Sequence, residues 1–265
     1  MYSPFRLAIK YIRYYLTAAS GKGHGIHSPF VFDFIEKVLQ DDKPYPEYEP
    51  IEVLRKKLEH DNRQIPVTDF GAGSATGSNP SRSVAAITRH AAKSSRLGRL
   101  LFRVVRHYRY HTQVELGTSL GFSAAYIASA NPGASLVTLE GAPAVADIAR
   151  DNLRQLAVDN AEVVTGNFDV ALVPALSRLG KIDFAFIDGN HRKEATLRYF
   201  RLLISHVQPT ALLIFDDIHW SADMEEAWGD IKKHEAVMLT VDLFFLGLVF
   251  FNPNFKIKQH FVIRF

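Results

Sequence analysis

Residues 113–140 restrict the fold of this chain of 265 residues more than any other stretch. An apolar run ending in Glu115-Leu116 is followed by a turn that contains Gly117 and Gly121, and a helical pattern then begins. A second apolar run ends at Glu140. Strand, glycine turn, helix and strand in this order predict one βαβ unit of a parallel sheet, with a carboxylate near the end of each strand.

The glycine turn has the features of a nucleoside-binding loop. Glycine lets the backbone approach a ligand closely, and the start of a helix offers N–H groups to an anion. An acid at the end of the second strand, here Glu140, can bind the two vicinal hydroxyls of a ribose. A dinucleotide loop has three glycines around a pyrophosphate, whereas this turn has two and is preceded by Glu115. A carboxylate at that place would repel a pyrophosphate but suits a ligand with an ammonium group.

The segment Glu115–Ser123, with the pattern Glu-Leu-Gly-x-x-x-Gly-x-Ser, resembles the first motif of class I S-adenosylmethionine-dependent methyltransferases. It is most similar to the catechol and caffeoyl-CoA O-methyltransferase branch. The resemblance implies S-adenosylmethionine as the cofactor. Its amino-acid end would lie at Glu115, its ribose at Glu140 and its adenine at Asn167-Phe168, although a backbone turn would give the same Asn-Phe sequence. The implied cofactor-binding residues are Glu115, Gly117, Ser119, Gly121, Ser123, Glu140, Gly141, Asn167, Phe168 and Asp188.

From Gln113 onwards, strand patterns alternate with helical patterns, and closely spaced strand patterns end the chain. This alternation predicts an α/β fold with a parallel sheet and helices on both faces. The resemblance implies a Rossmann-like, seven-stranded, mostly parallel sheet with an antiparallel C-terminal end. We expect residues 112–265 to form the methyltransferase domain and residues 1–111 to form a helical extension, or cap, that selects the substrate.

Three acids follow two strands of the predicted sheet: Asp188 after one, and the pair Asp216-Asp217 after the next. Adjacent carboxylates repel one another unless a cation lies between them, and oxygen ligands suit Mg²⁺. In the resembled enzymes an Asp and an Asp-Asn pair hold the metal, so the second Asp of this pair is a departure that adds negative charge. The alternative is that these acids cap helices and order the loops.

His191 stands three residues after Asp188, where the catechol-type enzymes have a catalytic lysine. An imidazole can accept the hydroxyl proton as the methyl group is attacked, and we predict His191 and Asp188 as the catalytic residues. Three alternatives stay open: His191 as a metal ligand, His191 as a loop histidine that is hydrogen-bonded to the backbone, and His219 in place of His191. Relatives that methylate amines have Asn/Asp-Pro-Pro-Tyr where this chain has Asp188-Gly-Asn-His191, so we expect O-methylation of a small-molecule hydroxyl.

Two features precede the βαβ unit. Residues 5–19 predict an amphipathic helix that docks on the core through an apolar stripe of Phe5, Ala8, Ile9, Ile12, Leu16 and Ala19. Residues 68–77 imitate a nucleotide loop, but the helical pattern of 84–110 follows instead of a strand that ends in an acid. We therefore interpret Gly71–Pro80 as a loop near the site and not as the cofactor loop.

The segment from Phe70 to Val114 has no acid, although the net charge of the chain is only +3. Its basic part, residues 82–109, is expected to be a solvated helical face, since no nucleic-acid motif accompanies it. We therefore expect no tight binding of nucleic acid. The alternatives are an RNA methyltransferase that uses this segment, and a methyltransferase-like domain that binds a ligand without turnover.

The absence of cysteine excludes disulfides, thiolate catalysis and Cys-ligated metals. The apolar runs are too short to span a bilayer, and Arg6, Lys10 and Arg13 interrupt any signal-peptide core. These features predict a cytoplasmic protein, and the resemblance implies a small hydroxylated substrate. Assembly into a homodimer stays open.

Overall fold

The computed structural model describes residues 1–67, 81–90 and 94–265. No helix within these ranges is both long and apolar enough to cross a membrane. The chain forms two compact units: Met1–Asp41 with Asp183–Phe265, and Asp42–Ile182. In chain order the elements are α1 Pro4–Thr17, α2 Pro29–Phe34 (continued by a π-helical turn, Ile35–Leu39), α3 Tyr48–Leu58, β1 Gln64–Pro66, β2 Ser81–Ser83, α4 Val84–His90, α5 Ser95–Tyr108, β3 Thr112–Leu116, α6 Phe122–Ala130, β4 Ser135–Glu140, α7 Pro143–Gln155, β5 Ala161–Thr165, α8 Phe168–Leu179, β6 Ile182–Ile187, α9 Lys193–Ile204, β7 Val207–Asp216, α10 Ala222–Lys233, β8 Leu239–Asp242, β9 Leu246–Phe250 and β10 Gln259–Val262.

The predicted α/β fold with a mostly parallel sheet is confirmed. Among the described residues the strand order is β10-β8-β9-β7-β6-β3-β4-β5, which gives a sheet of eight strands instead of the expected seven. The additional strand is β10, which pairs parallel to β8. The antiparallel pairing at the C-terminal end comes from β9, which runs antiparallel to both β7 and β8.

Burial explains why the central strands are mostly apolar. All six residues of β6 are buried, as are the last six of β7. Strands of a parallel sheet have helices on both faces, so side chains on either side of the strand must be apolar. Strands β3, β4 and β5 pair parallel to one another in the second unit, and this pairing aligns the ends of β3 and β4.

The first helix contradicts one expectation. Helix α1 begins after Ser3, whose hydroxyl accepts a hydrogen bond from the N–H of Arg6. Its buried face is formed by Tyr14, which clusters with Ala18 and Phe244. The apolar stripe that was expected to face the core lies on the opposite side, and its large members Phe5, Ile9, Ile12 and Leu16 are exposed.

The basic segment forms part of the second unit. Within the described residues, this segment contains α4, Val84–His90, and α5, whose N-cap is Ser94. The pairing of β1 with β2 was not foreseen from the sequence. Within α5, Arg99 forms a bidentate ion pair with Glu52 at 2.7 and 2.8 Å. The nucleotide-like stretch 68–77 and the expected loop 71–80 lie outside the described residues.

Candidate functional site

The glycine turn after β3 adopts a left-handed backbone at three places. The φ angles are 105° at Gly117, 49° at Ser119 and 83° at Gly121. The N–H groups of Gly117 and Thr118 both donate to the carbonyl of Leu139, at 2.9 and 3.1 Å, so the turn is tied to the end of β4. Gly121 is the N-cap of α6 and has no side chain to cap the first turn. No side chain at that position therefore competes with an anionic ligand for the N–H groups of the helix start.

Glu115 lies in a chain of hydrogen bonds between two strands. It is fully buried and is paired with Thr138 in the register of β3 and β4. The hydroxyl of Thr138 donates to Oε2 of Glu115 at 2.5 Å, and the Thr118 hydroxyl lies 2.6 Å from the Thr138 hydroxyl. Because Thr138 has a single hydroxyl hydrogen, Thr118 must donate to Thr138. The chain Thr118–Thr138–Glu115 therefore orients the carboxylate.

Glu140 ends β4 and is bound by backbone N–H groups. Ser119 donates to Oε2 at 2.8 Å and Ala142 to Oε1 at 2.9 Å. Burial raises the pKa of the Glu140 carboxyl above its usual range, although the hydrogen bonds from Ala142 and Ser119 oppose this shift. Each carboxylate oxygen has a second lone pair, so the group can still accept a ligand hydroxyl at either oxygen.

Four of the remaining residues expected at the cofactor lie in this same unit, and the fifth, Asp188, belongs to the first unit. Ser123 is buried in the first turn of α6, and Gly141 directly follows Glu140. Asn167 is the N-cap of α8, and its side-chain oxygen accepts a hydrogen bond from the N–H of Asp169 at 2.9 Å. Phe168 is half-buried at the first position of that helix. Asn167 therefore has a capping role, and contact of Asn167 and Phe168 with adenine stays a prediction.

The acidic residues of the first unit converge with one histidine. Asp188, His191 and Asp216 each place one ligand atom within 4.8 Å of the others. The nearest approach of His191 to Asp188 is 3.6 Å, from Nε2 to Oδ1. Asp216 is only 1% exposed. Among the residues that the structure describes, this group does not include Asp217, whose backbone has a φ of 54° and whose N–H donates to the carbonyl of Phe245 at 2.7 Å.

His219, the alternative base, is held by two carboxylates. Its Nε2 lies 2.8 Å from Oδ2 of Asp242, and its Nδ1 lies 3.0 Å from Oε1 of Glu225. Burial lowers the pKa of His219, but hydrogen bonds and charge from Asp242 and Glu225 outweigh burial and raise it. An imidazole with both nitrogens occupied in this way has a structural role and is poorly placed to accept a substrate proton.

Sequence reasoning missed Thr118 and Thr138. Threonine is common in strands and turns, so neither residue carries a signal by itself. The signal is the strand register: Thr138 lies two residues before Glu140, on the side of β4 that is paired with Glu115. A predicted pairing of β3 with β4 would have found Thr138, whereas Thr118 depends on the conformation of the turn.

Residues 114–218 match the protein-family model described as a methyltransferase domain. This segment begins in β3 and ends two residues after β7, so it contains the glycine turn, both acids at the ends of β3 and β4, and the Asp188–His191–Asp216 group. Residues 114–218 are a methyltransferase domain. The resemblance found in the glycine turn is thereby confirmed.

Two curated relatives of this chain are O-methyltransferases. A catechol O-methyltransferase of Mycobacterium tuberculosis is 33% identical over 134 residues, which are 48% of this chain and 57% of the relative. The O-methyltransferase imqG of Aspergillus flavus is 32% identical over 112 residues, 40% of this chain and 44% of the relative. The chain thus spans about half the length of the curated relatives that it matches.

Among solved structures, the O-methyltransferase TomG from Streptomyces achromogenes, in complex with S-adenosylmethionine, has a TM-score of 0.53. It is 22% identical, and the match covers 61% of this chain and 82% of TomG. At this identity the likeness is one of fold. It confirms the predicted Rossmann-like α/β fold.

Proposed function

We propose that this protein is an S-adenosylmethionine-dependent methyltransferase that methylates the hydroxyl group of a small molecule. The observation that carries the proposal is the pair of carboxylates at the ends of β3 and β4. The Glu115 carboxylate is oriented by the hydrogen-bond chain through Thr138 and Thr118, and Glu140 is oriented by the N–H groups of Ser119 and Ala142. Two carboxylates at the ends of neighbouring strands suit a ligand with an ammonium group at one end and a ribose near the other. The names of the relatives support an oxygen acceptor.

Each part of the cofactor is assigned to a different group of residues. Glu115 would bind the ammonium group, and the turn with Gly117, Ser119, Gly121 and Ser123 would enclose the amino-acid end. Glu140, with Gly141 beside it, would bind the ribose hydroxyls. Asn167 and Phe168 would contact the adenine. Asp188 is the last residue that we assign to cofactor binding. Desolvated hydrogen bonds to a charged carboxylate are among the stronger ones in proteins, so Glu115 and Glu140 should contribute most of the polar affinity.

When bound, the cofactor supplies an electrophilic methyl group on a sulfonium centre. The chain has to orient the acceptor hydroxyl in line with that methyl, exclude water and accept the hydroxyl proton. We assign the proton to Nε2 of His191, and we assign to Asp188, 3.6 Å away, the role of stabilising the imidazolium that results. The left-handed backbone of Asn190 and His191, with φ of 68° and 41°, sets the direction of this imidazole. Strained backbone of this kind is often found at active sites.

The donor set of the first unit fits a divalent cation. Two carboxylates and an imidazole within 4.8 Å can hold Mg²⁺ through Asp188 and Asp216, with His191 left as the base. If His191 is instead a ligand, the nitrogen donor favours Mn²⁺ or another transition metal. A bound cation would lower the pKa of an acceptor hydroxyl. Asp217 was expected from the sequence as a third acid ligand. It is not part of the Asp188–His191–Asp216 group, so it would contribute negative charge near the cation without binding it.

The ribose assignment is tested by calorimetry with S-adenosylhomocysteine and its 2′-deoxy analogue. Glu140→Ala should weaken S-adenosylhomocysteine binding by roughly 2–5 kcal/mol, because hydrogen bonds to a carboxylate are lost. Part of that loss could arise in the turn, because Glu140 also binds the N–H of Ser119. The wild type should prefer the hydroxylated ligand, and this preference should vanish in Glu140→Ala. Glu162→Ala on β5, an exposed partner of Arg178, is the matched control.

A preference that persists in Glu140→Ala would show that Glu140 supports only the turn. Unchanged affinity would show that the cofactor site has been placed wrongly.

The proposal also includes the region that selects the substrate, the cellular location and the absence of a nucleic-acid partner. We propose that residues 1–111 select the acceptor, that the protein acts in the cytoplasm, and that it does not bind nucleic acid tightly. In support of the last point, Arg99 is paired with Glu52, and Arg106 lies 4.0 Å from Glu47. These contacts give part of the basic segment a structural role. A sub-micromolar RNA complex that weakens steeply with salt would favour the nucleic-acid alternative. A homodimer is compatible with the proposal.

A further inference from the structure

The outer face of α1 is an exposed apolar stripe. Phe5, Ile9, Ile12 and Leu16 follow one another at intervals of four, three and four residues, so they share one side of the helix. Phe5 is 77% exposed and Leu16 is 73% exposed. Isolated apolar residues on a surface need no explanation, whereas a continuous row over three turns indicates an interaction surface.

The stripe belongs to a helix that is already folded and anchored. The opposite face of α1 packs through Tyr14, whose hydroxyl donates to the carbonyl of Ile263. Near the other end, Lys10 and the hydroxyl of Tyr2 both contact the Glu225 carboxylate at 2.8–2.9 Å. A partner of the stripe would therefore gain apolar burial without the cost of ordering the helix.

The charge around the stripe has a single sign. Residues 1–32 contain no Asp or Glu. Arg6 and Arg13 are exposed along one edge of the stripe. Along the other edge, the Arg264 guanidinium lies 5.2 Å from the ring centre of Tyr15. The nearby acid Glu225 is engaged by Lys10, Tyr2 and His219. An apolar stripe between basic edges matches the interface of an anionic lipid bilayer.

We propose that α1 binds the surface of membranes that contain anionic lipids, with Phe5, Ile9, Ile12 and Leu16 inserted at the headgroup boundary. Arg6, Arg13 and Arg264 contact the lipid phosphates. A second copy of the chain is a poorer occupant. Two stripes in contact would bring these arginines together, and no acid on α1 would compensate their repulsion.

The test uses the full chain and sedimentation of vesicles. Wild type should bind vesicles of equal parts phosphatidylcholine and phosphatidylglycerol, and should bind phosphatidylcholine alone much more weakly. The double variant Phe5→Ser with Leu16→Ser should bind at least about tenfold more weakly, because two apolar side chains no longer insert. Val170→Ser with Ile257→Ser is the matched control, since these residues are 74% and 73% exposed on other elements.

Two further measurements complete the test. Arg6→Gln with Arg13→Gln should weaken binding to the anionic vesicles and reduce its sensitivity to salt. Thermal unfolding should be similar for all variants, because the substituted side chains are exposed. The proposal is overturned by equal binding of both double serine variants, by equal binding to neutral vesicles, or by no binding at all. It is also overturned if sedimentation velocity shows a wild-type dimer that Phe5→Ser with Leu16→Ser converts to monomer, since a second copy then covers the stripe.

Discussion

Replacement of Thr138 by valine tests whether the hydrogen-bond chain Thr118–Thr138–Glu115 holds the Glu115 carboxylate in its orientation. Valine keeps the shape and removes the hydroxyl that donates to Glu115 at 2.5 Å and that accepts from Thr118 at 2.6 Å. Loss of a hydrogen bond to a buried carboxylate costs about 1.5–3 kcal/mol, and a buried hydroxyl without its acceptor costs about 1–3 kcal/mol. Thr138→Val should therefore lower the free energy of unfolding by roughly 3–5 kcal/mol.

The assay is urea unfolding, with Thr138→Ser as the control. Serine retains both hydrogen bonds and loses one methyl group, so its cost should be about 1 kcal/mol. Affinity for S-adenosylmethionine should fall in Thr138→Val and persist in Thr138→Ser, because the Glu115 carboxylate is less well oriented without its donor. If Thr138→Val and Thr138→Ser have equal free energies of unfolding, with equal dependence on urea concentration, the two threonine hydroxyls do not hold Glu115.

Two further predictions concern the first unit. Calorimetry should detect Mg²⁺ or Mn²⁺ binding that EDTA reverses and that Asp216→Asn abolishes while S-adenosylmethionine still binds; equal metal affinity in Asp216→Asn would reduce these acids to loop-ordering groups. His191→Gln should weaken Mn²⁺ binding if His191 is a ligand, and should leave Mg²⁺ binding unchanged if it is only the base. The second prediction is that stability depends on His219. Burial lowers the pKa of His219, but Asp242 and Glu225 outweigh burial and raise it above the unfolded value. Stabilisation by His219 is therefore complete below about pH 6.5 and is lost as pH rises through the folded pKa. In His219→Gln the melting temperature should lose this part of its pH dependence, and an unchanged profile would contradict the assignment.

Much of the methyltransferase domain could be predicted because its signals are local. The βαβ unit follows from apolar runs, from a turn with Gly117 and Gly121, and from the helical period after it, all of which depend on neighbouring residues. The positions of Glu115 and Glu140 at strand ends follow from the same runs. The position of the eighth strand in the sheet could not be predicted. The pairing of β10 with β8 joins segments that are not neighbours in the sequence, and no local pattern encodes it.

The sequence by itself determined which acids end the strands, since a strand ends where its apolar run ends. Only the tertiary structure decided which side chains meet. His191 joins Asp188 and Asp216, whereas His219 lies between Asp242 and Glu225, because the backbone after each strand directs the two imidazoles differently. Helix α1 shows the same limit. A helical period identifies an apolar face, but the helix carries apolar residues on both sides. The side that is buried depends on which one complements Phe244, a residue far away in the chain.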